Sequence, residues 1–271
     1  MLFVLVILAL CSAVVVAMVT VSEGSIARSR SYDEAAAAGS LVSAGEVTAL
    51  IALRRDMVAS PGLDHGREAW AQVNQADVAI ADGRFSLTLR DAQGLFNLTN
   101  LATEGILAQN RLADILSALG LKADLATQIV DARPARLTDL QLSPDDLAIL
   151  RTMVTVLPQA STVNVNTASA PLLSVLLKNP VQAKLLEVRR AKQGFLTPED
   201  VSGLGIVLPA GLGFSSVYFD LTVTAQVGDT VVMETALVAR RLDNAGKPRV
   251  SVVARQFGPE AAVVLSALPE Y

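Results

Sequence analysis

Cysteine is almost missing from this chain. Its one thiol, Cys11, lies in an apolar run, so the remainder carries no disulfide, no redox pair and no cysteine metal site. That usage is compatible with a periplasmic location. Histidine is equally scarce. A Ser–His–Asp site would have to use His65, no Gly-x-Ser-x-Gly elbow accompanies it, and no pair of His or Cys has metal-ligand spacing. These absences argue against an enzyme, and His65, between Asp64 and Gly66, reads as a solvated loop side chain. Aromatics make up only 4% of residues, so the core should be aliphatic. Trp70, Phe85, Phe96, Phe195, Phe214 and Phe219 are expected to be core fillers. Charge is absent from the first 22 residues, and the net charge is −4. That balance does not describe a dedicated nucleic-acid binder.

What the chain has in abundance is an apolar start. Residues 1–19 (MLFVLVILALCSAVVVAMV) would reach roughly 30 Å as a helix, the thickness of a bilayer's hydrocarbon core. A cleaved secretory signal is a poorer reading, because h-regions are shorter and follow a charged n-region. A buried core helix would need protein on every side. A membrane span is therefore expected, with Phe3, Leu5, Ile7 and Leu10 as its packing residues. Helix-compatible sequence continues to the breaker Ser60-Pro61-Gly62, so the span should run on into an exposed stalk. Arg28 and Arg30 follow the span and nothing basic precedes it. The positive-inside rule alone would place residue 24 onward in the cytoplasm, and a basic leader removed ahead of Met1 would reverse that.

Along the stalk, Val47, Leu50, Ile51, Met57 and Val58 fall at offsets 0, 3, 4, 10 and 11, one stripe of a 3.6-residue period. Gly24, Gly39 and Gly45 weaken the helix by up to ~1 kcal/mol each and are candidate bends. Residues 62–84 read as loop or mixed. Residues 85–90 (FSLTLR) alternate as a half-buried strand, and Asp91-Ala92-Gln93-Gly94 is a turn. Helices follow at 109–119, 123–132, 168–178 and 181–192, with start signals at Ser143-Pro144 and Thr197-Pro198. The period then changes. Residues 217–227, 230–241 and 249–257 read as three antiparallel strands, with turns at Gly228-Asp229 and residues 243–248. Their apolar face needs a cover, which Val47, Leu50 and Ile51 of the stalk can supply.

At this point the chain resembles a known family. An embedded helix continued outward onto an antiparallel sheet is the pilin architecture. A helical insertion before the last strands marks the K-type minor pseudopilins of type II secretion. The likeness is carried by Asp91-Ala92-Gln93-Gly94-Leu95-Phe96-Asn97-Leu98, by Ser161-Thr162-Val163-Asn164-Val165-Asn166-Thr167-Ala168 and by Phe195-Leu196-Thr197-Pro198-Glu199-Asp200-Val201. Counted from Met1, position five is Leu5, where most pilins and pseudopilins carry glutamate; the K type usually lacks it. The resemblance implies an α+β fold with an inserted all-α, helix-hairpin-helix or SAM-like module. The division expected is a transmembrane helix at 1–22, its periplasmic continuation at 23–61, a β subdomain from 62–96 and 214–271, and the insertion at 97–213. It also implies a single-pass inner-membrane protein with its bulk in the periplasm. Such a protein caps the pseudopilus tip with I-type and J-type minor pseudopilins and initiates assembly for export of folded proteins. The other partners implied are further pseudopilins, the inner-membrane assembly platform, and a prepilin peptidase where a leader exists.

A rival reading uses the same residues. Residues 163–169, Arg189-Arg190 and 194–201 also resemble paired helix-hairpin-helix modules of membrane-anchored competence proteins, which grip DNA phosphates through backbone N–H groups. The first hairpin here, near 176–181, has no glycine; Gly203-Leu204-Gly205-Ile206 keeps the pattern. Lys178, Lys184, Arg189, Arg190 and Lys192 stand against Glu187, Glu199 and Asp200 in residues 161–215, five basic less three acidic, or +2. DNA binding is therefore the lesser expectation. Calcium-binding loops occur in pseudopilins, K-type relatives included. The oxygen-bearing candidates are Asp145, Asp146, Glu199, Asp200, Asp229 and Asp243, without an EF-hand loop. The first four already serve as helix-start acids.

Overall fold

The computed structural model describes residues 1–80 and 83–258. Helix α1 (Leu2–Ala59) is continuous for 58 residues, about 87 Å at 1.5 Å per residue. None of its glycines breaks it. Its first 22 residues are exposed and touch nothing else, whereas its second half packs on a sheet. After a loop come the antiparallel strands β1 (Gln75–Ile80) and β2 (Gly83–Asp91).

From β2 the chain enters a helical module. The module opens with β3 (Phe96–Asn97), α2 (Asn100–Glu104), α3 (Ile106–Ala118), α4 (Asp124–Ala132), α5 (Pro144–Leu150) and β4 (Val154–Thr155). It continues with β5 (Val163–Asn164), α6 (Ala170–Leu177), α7 (Pro180–Gln193), α8 (Pro198–Gly203) and β6 (Leu212–Gly213). Two short parallel pairs, β3 with β4 and β5 with β6, tie its ends together. Ser143 and Thr197 cap α5 and α8 as their sequences predict, each accepting from the backbone N–H three residues on. Leu112, Ile115, Ile129, Leu150, Leu172 and Leu186 fill its aliphatic core.

The chain returns as β7 (Tyr218–Val227), β8 (Thr230–Leu242) and β9 (Pro248–Phe257). The sheet order is β1-β2-β7-β8-β9, antiparallel throughout, so the strands before and after the module are hydrogen-bonded neighbours. The α+β, pilin-like arrangement expected from the sequence is present. Residues 259–271, part of the expected β subdomain, lie outside the described residues, as do 81–82 of the expected 62–84 loop. Strand β1 was not expected. Its alternation is broken by a register shift between Gln75 and Val78, where Asp77 takes a positive φ, so no period of two survives in its sequence.

The stalk stripe needs correction. Val47 and Ile51 are 52% and 45% exposed and point away from the sheet, whereas Leu50, partly buried, packs against the sheet core as expected. The covering face is Ala38, Val42, Gly45, Ala49, Leu53 and Asp56, rotated from the expected stripe. It meets Leu87, Leu89, Phe219, Leu221 and Val223 of the sheet. Small residues win this face because side chains of the sheet fill the space beside the helix. A Cβ on Gly45 would lie 2.7 Å from Val223 Cγ1 and 3.0 Å from Phe85 Cζ. That glycine is a contact, not a bend.

This yields a paired prediction. Gly45→Leu should destabilise the full chain by about 1–3 kcal/mol through overpacking. Gly39→Ala, whose Cβ meets nothing within 4 Å, should stabilise it by roughly 0.5–1 kcal/mol. Thermal unfolding in detergent checks both, and equal effects would contradict the close approach.

Candidate functional site: a buried polar junction

The three segments that carry the family likeness meet beneath the helical module. Asp91, at the end of β2, is buried and accepts three side-chain hydrogen bonds at Oδ2. They come from Asn164 Nδ2 (2.8 Å), Thr167 Oγ1 (2.6 Å) and Ser216 Oγ (2.6 Å). Its Oδ1 accepts from Gln93 N–H at 2.8 Å. Gln93 donates to the Thr162 carbonyl and accepts from the N–H groups of Val217 and Tyr218. Gly94 is obligatory here, since a Cβ would sit 2.9 Å from the Thr167 carbonyl oxygen. The third segment joins through Asn166, which accepts from Leu196 N–H at 2.7 Å and donates to the Leu196 carbonyl at 3.1 Å. Burial pushes the Asp91 carboxyl up, and the donors around it oppose that rise.

A second centre lies beside it. Arg240, buried on β8, donates from Nη1 to Asp56 Oδ2 at 2.7 Å and from Nη2 to Asp64 Oδ1 and the Ser216 carbonyl. Its guanidinium lies 4.8 Å from the Phe219 ring centroid. Asp64 Oδ2 accepts from Ser216 N–H at 2.7 Å, and the Asp64 carbonyl accepts from Asn164. Burial pushes Asp56 up to about 6, with nearby Glu68 adding to it and Arg240 opposing. Asp64 is pushed up to about 6 by burial, against the pull of Arg240 and the Ser216 N–H. His65 is corrected by this environment. It is not solvated but buried, stacked on Phe195 at 4.1 Å and 9°, and burial lowers its pKa. Trp70 is core, as expected, and donates to Glu68 Oε2.

The calcium candidates do not assemble. Asp145 and Asp146 stand in the first turn of α5, and Glu199 and Asp200 in the first turn of α8. Asp200 is held at about 2 by Arg189 and the Thr197 N–H. Asp243 accepts from the N–H groups of its own turn, and Asp229 lies at the β7–β8 turn. Among the described residues, Asp56, Asp64 and Glu68 have carboxylate oxygens within 4.8 Å of one another. Arg240 already neutralises two of the three, so this donor set fits a guanidinium better than a metal ion. The expected span residues Phe3, Leu5, Ile7 and Leu10 are all exposed on the free end of α1, which is long and apolar enough to cross a membrane.

Among the described residues, N–H groups of both hairpins have internal partners. Asn179 Oδ1 accepts from Val181 and Gln182 N–H, filling the start of α7. At the second hairpin, the N–H groups of Leu204, Gly205 and Ile206 donate to carbonyls of 200–202. Lys178, Lys184 and Arg189 pair with Asp114, Glu187 and Asp200, while Arg190 donates to the carbonyls of Val165 and Ala168.

Comparison with known proteins follows this geometry. The type II secretion system protein K of Pseudomonas aeruginosa is 25% identical over 270 residues, covering 79% of this chain and 78% of that protein. By sequence the chain is therefore similar to a K-type protein. A chain from the crystal structure of the GspK–GspI–GspJ complex of enterotoxigenic Escherichia coli matches with a TM-score of 0.64 at 20% identity. That match covers 85% of this chain and 99% of the other, and shows the fold. No family model matches. The K-type likeness read from the three segments is thus matched by similarity to a K protein in sequence and to a K–I–J complex chain in fold. The signal in those segments was their amides and their one buried acid. Arg240, Asp56 and Asp64 carried no comparable sequence signal.

Two outcomes test the junction. Asn166→Ala strands the buried N–H and C=O of Leu196 and should cost roughly 2–4 kcal/mol of stability. The pH dependence follows from Asp56 and Asp64, whose folded pKa values lie above their unfolded ones. The native state then holds more protons between about pH 4 and 6, so stability should fall as pH rises through that window, by roughly 1.4 kcal/mol per unit of raised pKa. Melting the full chain at pH 5 and 7 checks the sign. A higher melting point at pH 7, or no flattening in Asp56→Asn, would contradict it.

Proposed function

We propose that this chain anchors in the inner membrane by residues 1–22, extends its bulk into the periplasm, and caps the pseudopilus tip. Its partners there are I-type and J-type minor pseudopilins, with which it initiates assembly for export of folded proteins. The stalk at 23–61, the β subdomain at 62–96 and 214–271 and the insertion at 97–213 are the working parts of that reading. Further pseudopilins, the assembly platform and a prepilin peptidase complete the set of partners proposed. Phe3, Leu5, Ile7 and Leu10 would pack against lipid and neighbouring subunits.

The observation that carries the reading is where the helical module sits. It is locked through Asp64, Asn164 and Arg240 to the end of α1 opposite the free apolar end. A bulky module at the membrane-distal end of a stalk suits a subunit with nothing stacked above it. The match to a K protein and to a chain from a complex of K, I and J proteins supports the same partners.

The test is co-purification of the full chain, in detergent, with its I-type and J-type counterparts, alongside a labelled DNA duplex at low salt. A stable ternary complex with no DNA shift is expected. DNA binding that weakens steeply with salt, without a complex, would replace this reading by the competence-like one.

A further inference from the structure

The sheet face turned away from α1 is not bare. A cleft of about 480 Å³ lies between it and the helical module. Asp220 of β7, Leu237 of β8, and Ala254 and Gln256 of the edge strand β9 form one wall. Leu95, Leu137 and residues 154–157 form most of the other. Arg151, at the end of α5, also lines it, and is only 7% exposed.

Arg151 is unlike the other buried arginines. Arg240 has two carboxylates, a carbonyl and an aromatic face. Arg111 has Glu104 and the Ala210 carbonyl. Arg151 Nε has no hydrogen-bond partner, and among the described residues no carboxylate forms an ion pair with this side chain. Burial pulls its pKa down with no acid to oppose it. Asp220 shares the cleft but answers to Arg90, and burial pushes it up to about 7. A guanidinium taken out of water without an anion costs several kcal/mol. A cleft of this size, with largely apolar walls and one buried, unpaired guanidinium, has the make-up of a recognition site.

We propose that this cleft docks a segment of a partner protein in which an acidic side chain is flanked by apolar ones. The carboxylate seats on the Arg151 guanidinium, the planar fork that pairs with carboxylates. The apolar neighbours lie over Leu95, Leu137, Val156 and Leu237. A phosphate would call for several buried donors, and the lining supplies one buried guanidinium, Arg151, with Arg136 exposed at the rim. The proposal is independent of the secretion reading above.

The experiment uses the full chain in detergent and a fluorescent peptide carrying acetyl-Val-Leu-Glu-Leu-amide as the probe. Its Gln counterpart and free acetate are the comparison ligands. The Glu peptide should bind, with the Gln peptide and the Arg151→Met variant each weakening binding about tenfold or more. Arg151→Met should melt no lower than wild type, because it removes a buried charge that lacks a partner. Ala254→Trp, which fills the exposed wall without touching the core, should block the peptide at unchanged melting temperature. Equal binding of the Glu and Gln peptides would overturn the proposal. So would acetate binding as tightly as the peptide, or an Arg151→Met variant that binds normally and melts several degrees lower.

Discussion

One buried guanidinium holds the parts of this molecule in register. Arg240 reaches from β8 to Asp56 in the last turns of α1 and to Asp64 in the loop beyond, and caps the Ser216 carbonyl where the chain re-enters the sheet. Stalk, loop and sheet therefore meet on a single charge. Both carboxylates resist ionisation because they are buried, yet each accepts a hydrogen bond from the same cation. Removing the arginine would leave two uncompensated acids, a far larger loss than the net value of the pairs. Directional contacts of this kind also fix one rotation of the helix on the sheet, which apolar packing alone tolerates poorly defined.

That fixed rotation explains how α1 divides its surface. The face on the sheet is built from Ala38, Gly45 and Ala49, with Val42 and Leu53 as its larger members. Bulk there would hold the backbones apart and lengthen the reach from Asp56 to Arg240. The larger aliphatics, Val47 and Ile51, are turned outward instead. Arg255 of β9 adds a tie at the other edge, bridging Glu46 of α1 and buried Glu234 of β8. Burial and the neighbouring Glu46 push Glu234 up to about 7, so this tie too is sensitive to protonation near neutrality.

Much of the fold was legible because it rests on local periodicity. The alternation of residues 85–90, the hairpin glycine at 228 and the caps at Ser143 and Thr197 are local signals, and the elements they announce are present. The stripe on α1 was misread for a physical reason. Apolar periodicity finds large side chains, but a close helix–sheet contact selects small ones, so Val47 and Ile51 drew attention that belonged to Ala38, Gly45 and Ala49. Strand β1 was hidden by its bulge. His65 was taken for a solvated residue because its neighbours are polar, while the ring that buries it, Phe195, lies 130 residues away in sequence. The junction was half visible: Asp91, Asn164 and Asn166 stood within the segments that carried the likeness, but Arg240 and its acids are brought together only by the fold.

The module also shows how hairpin N–H groups and cations that could grip a phosphate are used within the fold. Gripping a phosphate needs N–H groups with no internal partner and cations with no internal anion. Here several of these resources are committed within the module. Asn179 takes the N–H groups at the start of α7, carbonyls of α8 take those of the second hairpin, and Arg190 braces the carbonyls of Val165 and Ala168 inside the junction. Arg189 holds Asp200, which in turn completes the cap of α8. Arg189 and Arg190, two of the basic residues that suggest a nucleic-acid surface in sequence, are thus structural members.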